Sequence, residues 1–134
     1  MKIVNSFLVA AVFEPFLFLS DAEASEVAAI DPENEEKVRD CIRQLIVLYY
    51  SKFDEKSKSE IRNSLAYMLV SEFDGWEDLL QMNQSPLSLP SVPRKFFEWL
   101  WGEIYQCDIS LPGVKSDYLV REDIHAANLI KRGE

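Results

Sequence analysis

The chain has 134 residues, of which 48% are hydrophobic and 28% are charged, with only four Gly and six Pro. This composition predicts one globular domain over residues 1–134 and excludes a disordered chain, a collagen-like repeat or a disulfide scaffold. Asp and Glu number 23 against 14 Lys and Arg, so the formal net charge is −9. Because nucleic acids and anionic membranes attract positive charge, this sign disfavours both as direct partners and favours a basic protein.

The first 19 residues are the most apolar part of the chain. Residues 1–13 and 16–19 imitate the hydrophobic region of a signal peptide, but Glu14 and Pro15 interrupt them and Lys2 is the only charge before them. The uninterrupted stretch is also shorter than the roughly 20 residues that span a bilayer. We therefore predict a cytoplasmic protein without a membrane-spanning helix. Helical spacing favours a buried helix over residues 3–12, with a strand or a cleaved signal as the alternatives, and a second helix over residues 21–29.

The helical pattern is clearest between residues 31 and 73. Asp31 before Pro32 predicts the start of a long helix, which ends in a polar connection after residue 53. Ser57 and Glu60 then have the spacing of a capping box, and Gly75 is the predicted end of the second helix. The two helices are predicted to be antiparallel. The apolar stripe of the first contains Val38, Cys41, Ile42, Leu45, Ile46, Tyr49 and Phe53.

Beyond Gly75 the sequence predicts a short helix over residues 76–82, a loop with three prolines over 83–93, and a helix that begins at Pro93. A last helix is predicted from Ser116 to Ile130, carrying His125 on a polar or half-buried face. A strand over residues 118–120 is the competing assignment. Since no hairpin pattern occurs, the fold class is predicted to be all-α, an irregular bundle of about five or six helices.

The two cysteines, the two adjacent tyrosines and the aromatic run at residues 96–105 have open interpretations. Cys41 and Cys107 are predicted to be small buried hydrophobic residues, although a disulfide between them stays open. Of Tyr49 and Tyr50, one is expected in the core and one on the surface. The aromatic run at residues 96–105 is mainly core in this interpretation, with a surplus that forms a dimer seam or a binding surface.

The sequence contains no phosphate-binding glycine motif, no His-Glu-x-x-His motif and no calcium loop. One His and two Cys are too few for the usual four-ligand zinc site. We therefore predict a protein that is not an enzyme and needs no cofactor.

The acidic residues fall into two groups. Glu72, Asp74, Glu77 and Asp78 surround Trp76, which indicates either a solvated helix junction or a partner-binding patch with Trp76 as an exposed anchor. A third interpretation is that these acids act in general acid and base catalysis or bind a cation. Residues 1–36 carry eight acids against one base, and the segment from Asp21 to Glu36 supplies the alternative acidic face. That face contains Glu33, Glu35 and Glu36.

With its acidic run EFDGWED at residues 72–78 and its aromatic helix at 96–105, this short helical chain resembles the immunity proteins of bacterial contact-dependent growth inhibition and related polymorphic toxin systems. Such proteins bind and block a cognate toxin domain, often a nuclease. The resemblance implies a basic nuclease domain as partner. Nuclease-colicin immunity proteins are a more distant comparison, and their tyrosine-pair site is not carried over to Tyr49 and Tyr50, which lie inside a predicted long helix. The alternative function is an acidic secretion chaperone or adaptor that binds an effector segment as a dimer.

Overall fold

The computed structural model describes residues 2–122. It is 63% helical with six helices and little strand. The predicted all-α class and the predicted number of helices are therefore confirmed.

The first half of the chain contains one strand and three helices. Strand β1 is Lys2–Asn5. Helix α1 follows it directly and consists of an α-helical turn, Ser6–Val9, and a 3-10 segment, Ala10–Phe18. Helix α2 is Asp21–Ala28. Helix α3 covers residues 35–51 and consists of Glu35–Ile42, a π-helical segment Arg43–Val47 and a final turn Leu48–Ser51.

The second half contains three more helices and a short strand. Helices α4, α5 and α6 are Glu55–Val70, Trp76–Gln81 and Pro93–Tyr105. A 3-10 turn, Lys115–Asp117, leads into strand β2, Tyr118–Arg121. The predicted short helix, the proline loop and the start at Pro93 are confirmed.

The two strands form a parallel pair in which Lys2 lies opposite Tyr118 and Asn5 lies opposite Arg121. The predicted buried helix over residues 3–12 is therefore wrong for its first three residues, which form a strand. The competing strand assignment at 118–120 is confirmed, and within the described residues Ser116 lies in a 3-10 turn rather than at the start of an α-helix. The rest of the predicted last helix, including His125, lies outside the described residues.

Two predicted helix starts are wrong by a few residues. Helix α3 begins after Asn34, whose side chain accepts from the Lys37 amide, whereas Asp31 accepts from the Glu33 amide in a turn before the helix. Helix α4 begins after Asp54, whose carboxylate accepts from the amide of Ser57 at 2.8 Å. Asp, Asn and Ser side chains can all accept a hydrogen bond from a free amide at a helix start. Several positions before each helix therefore had suitable capping spacing.

Helix α4 also ends earlier than predicted. Its last residue is Val70, and Gly75 precedes α5 instead of terminating α4. In α3, the π-helical segment changes the helical register, so that Tyr50 is buried and Tyr49 is only partly buried. The predicted division of the two tyrosines is confirmed, but the apolar stripe assigned the core position to the wrong one.

The core is one hydrophobic cluster to which α1, α3, α4, α5 and α6 all contribute. Phe13 lies at its centre, with its ring centroid 5.9 Å from those of Phe96 and Phe97. Trp99 and Trp101 are buried as well. The prediction that the aromatic run at residues 96–105 is mainly core is therefore confirmed for Phe96, Phe97, Trp99 and Trp101, because α6 packs against elements on several sides.

A charged contact also joins α3 to α6. The Glu103 carboxylate, only 14% exposed, lies 2.9 Å from Arg39 Nη1 and 2.8 Å from Arg43 Nε. Each carboxylate oxygen thus has its own arginine, and both arginines come from the neighbouring helix. In residues 2–122, no helix has the length and apolar character needed to cross a membrane.

Candidate functional site: an acidic cleft

A cleft of about 380 Å³ opens where the segment between α4 and α5 meets the start of α1. Four carboxylates line it, three from the predicted acidic run and one from the residue that follows β2. Phe7, Phe73 and Leu79 add apolar surface. The carboxylates belong to Glu72, Asp74, Asp78 and Glu122.

The turn before α5 shapes the cleft wall. Gly75 immediately precedes α5, and a Cβ added there would lie 2.8 Å from Cζ of Phe73. Because real Cβ atoms do not approach other atoms so closely, a larger residue at this position would displace the Phe73 ring. The glycine therefore allows the turn to fold back over Phe73 and brings Asp74 and Asp78 to the same cleft.

Trp76 does not have the role that the sequence predicted. It is only 5% exposed, with its ring centroid 4.7 Å from Phe73 and 4.5 Å from Phe97. The prediction of an exposed interface anchor is wrong, since the first turn of α5 directs Trp76 to the core while Glu77 and Asp78 stay exposed. Trp76 fixes the acidic segment to the core.

The charge of the cleft is not compensated by the surrounding described residues. Glu72, Asp74, Glu77 and Asp78 are all exposed, and none of them pairs with a described Lys or Arg. No described basic residue lines the cleft. A surface of this kind has a negative potential that attracts cationic groups.

The cleft differs from the predicted site in three residues. Trp76 is buried and Glu77 is exposed but does not line the cleft, whereas Glu122 does. Sequence reasoning did not include Glu122, because only the parallel pairing of β2 with β1 brings the end of β2 to the start of α1. No local pattern could have indicated that contact.

Two carboxylates of the alternative acidic face have described partners. Glu33 accepts a hydrogen bond from the Ser91 amide, and Glu35 Oε2 lies 3.0 Å from Arg39 Nε. Lys95 and Arg39 line the pocket of about 420 Å³ beside these acids. Glu36 is exposed. The predicted groups Glu72–Asp78 and Glu33–Glu36 therefore differ in kind, since the first is purely acidic and the second is mixed in charge.

The two thiols are free and differ in environment. Cys41 is buried as predicted, and burial raises the pKa of its thiol to about 11, with a smaller contribution from Asp40. Cys107 is exposed, so the prediction of a buried hydrophobic residue is wrong there. It follows the end of α6, where Gln106 has a left-handed backbone conformation and turns the chain away from the helix. The disulfide that the sequence left open is not formed.

Among residues 2–122, no group of three or more His, Cys, Asp or Glu side chains is arranged to hold a metal ion. Comparison of the chain with protein family models, with curated proteins and with solved structures finds no significant match.

Proposed function

We propose that this chain is a non-catalytic immunity protein of the cytoplasm, which binds and neutralises a cognate toxin domain, a basic nuclease. The observation that carries the proposal is the acidic cleft. It has four carboxylates and, among residues 2–122, no basic residue in its lining. A partner of the opposite charge is the natural complement of such a surface.

The proposed mechanism is electrostatic and steric. A nuclease needs positive charge where it binds the phosphates of its substrate, so an acidic protein can occupy that region and exclude RNA or DNA. Opposite charges also raise the rate of encounter, which matters for a protein that must capture a toxin before it acts. Such inhibition needs no reaction by the immunity protein itself.

The apolar walls of the cleft add a second type of contact. Lys and Arg have aliphatic stems that pack on apolar surface while their charged ends stay with acceptors. Phe7 and Phe73 can take such stems, and Asp74 and Asp78 can accept from their ends. The cleft is therefore suited to basic side chains of a folded partner.

The burial of the α6 aromatic residues weighs against the alternative function. A dimeric secretion chaperone was expected to use an aromatic surplus on that helix, and Trp99 and Trp101 are part of the core instead. An immunity protein would form a tight complex with a folded domain, whereas a chaperone would bind a partly unfolded segment.

The test uses the basic C-terminal domain encoded by the adjacent reading frame as the partner. A cleft variant, Asp74→Lys with Asp78→Lys, is compared with a control, Glu36→Lys with Asp108→Lys. Both change the net charge from −9 to −5, because each of the two reversals adds two units, and all four residues are exposed. Binding kinetics are measured across a salt series, beside protection of growth.

We expect the cleft variant to bind at least tenfold more weakly, about 1.4 kcal/mol, mainly through slower association. The control should bind within threefold of the natural chain, and both variants should keep its melting temperature within about 2 °C. Equal weakening of the two variants would show that only net charge matters. A larger loss in the control would assign binding to the Glu33, Glu35 and Glu36 face. Either result would overturn the proposal that the acidic cleft binds the toxin domain.

A further inference from the structure

A second concave surface lies between α2 and α3, at a different place from the acidic cleft. This groove has a volume of about 370 Å³, near the lower end of the range for ligand sites, roughly 300–1,000 Å³. Its floor is apolar and consists of Leu19, Val27, Ile30, Cys41 and Leu45.

The rim of the groove is acidic. Glu23 and Glu26 come from α2 and Asp40 from α3. Lys37 is the one base among the described lining residues, so the formal charge of these residues is −2. Hydrogen bonds from the backbone and side chain of Ser20 lower the pKa of Glu23.

We infer that the α2–α3 groove docks one cationic amphipathic helix of a partner protein. Such a helix presents apolar side chains at positions i, i+3 or i+4 and i+7 to an apolar groove, and here its flanking Lys or Arg side chains would meet Glu26 and Asp40. The inference goes beyond the acidic cleft and does not depend on it, because the two surfaces share no lining residue.

Charge selects this occupant over the alternatives. A second copy of the chain would bring the same acidic rim against itself, and like charges facing one another in an interface are unfavourable. An acidic helix or an anionic membrane surface would meet the same repulsion. A purely apolar helix would fit the floor but would leave the three carboxylates of the rim without cationic partners.

The experiment uses the full chain and three synthetic 14-residue peptides labelled for fluorescence anisotropy. The first has Leu at helical spacing and Lys elsewhere. The second has Glu in place of every Lys, and the third has the composition of the first with its Leu residues scrambled off one face. We expect the first peptide to bind, the second to show no binding, and the third to bind at least tenfold more weakly.

Two charge reversals locate the site. Glu26→Lys, on the rim, should weaken binding of the Lys peptide at least fivefold, whereas Glu36→Lys, equally exposed but outside the groove, should change it less than twofold.

The acidic cleft provides the remaining control. The Asp74→Lys and Asp78→Lys double variant should keep peptide binding within threefold. The experiment therefore distinguishes a failure of peptide binding in the groove from a failure of the proposed toxin binding in the cleft. Equal binding of the scrambled peptide would show attraction by charge alone. A loss with the cleft variant but not with Glu26→Lys would place the peptide in the cleft. Either outcome would overturn the inference.

Discussion

Replacement of Trp76 by Ala tests whether this side chain belongs to the core or to a partner interface. Trp76 is 5% exposed and packs between Phe73 and Phe97 at 4.7 and 4.5 Å. We therefore expect Trp76→Ala to lower the free energy of unfolding and to loosen the acidic segment, whereas Glu77→Ala at the next, exposed position should leave stability almost unchanged.

The size of the effect follows from the burial. An indole buries roughly 150–250 Å², which at about 25 cal/mol per Å² corresponds to about 4–6 kcal/mol. Part of the cavity can close, so the expected loss is about 3–5 kcal/mol, the usual range for a buried Trp→Ala change. At roughly 3–5 °C per kcal/mol for a chain of this size, the melting temperature should fall by about 10–20 °C.

The assay is urea unfolding followed by circular dichroism at 222 nm, with Trp76→Phe as the conservative variant. Phe retains the ring contacts in part, so its loss should be less than half of that for Ala. If Trp76→Ala unfolds within 0.5 kcal/mol of the natural chain but loses affinity for the toxin domain, then Trp76 is an exposed anchor and the assignment to the core is wrong.

Two further predictions concern contacts away from the cleft. Glu103→Gln should lower the free energy of unfolding by about 1–2 kcal/mol, because the two arginines of α3 lose a mostly buried partner. The control Glu98→Gln breaks a long ion pair on the surface and should change the free energy of unfolding by less than 0.5 kcal/mol in the same urea assay. A thiol reagent should modify Cys107 at once and Cys41 only as the chain opens. Burial raises the pKa of Cys41 from 9.0 to about 11. The contribution of the neutral thiol to stability is therefore complete below pH 9 and is lost as the pH rises to 11. The free energy of unfolding of Cys41→Ala should fall less over that interval than that of the natural chain, and an identical fall would refute a buried neutral thiol.

The elements that the sequence predicted well are those whose signals lie within one or two turns of the chain. Helix α6 starts at Pro93 because a proline suits the first position of a helix, and the three prolines of the preceding loop prevent regular structure there. The helical periodicity of residues 38–46 and 61–69 likewise depends on neighbours three and four residues away. Such signals need no knowledge of the fold.

The errors lie where the outcome depends on contacts distant in sequence. A parallel pair between residues 2–5 and 118–121 requires two ends of the chain to meet, and no turn motif announces it. The exact capping residues of α3 and α4 were also uncertain, since Asp31, Asn34 and Asp54 can all accept from a free amide.

For the candidate site, the sequence by itself determined the chemistry of the surface: a clustered excess of carboxylates on a helical chain of net charge −9. Tertiary packing decided which carboxylates act together. It buried Trp76, paired Glu33 and Glu35, and added Glu122 to the cleft. Charge is a property of each residue and adds along the chain, whereas burial and proximity arise only when distant elements pack on one core.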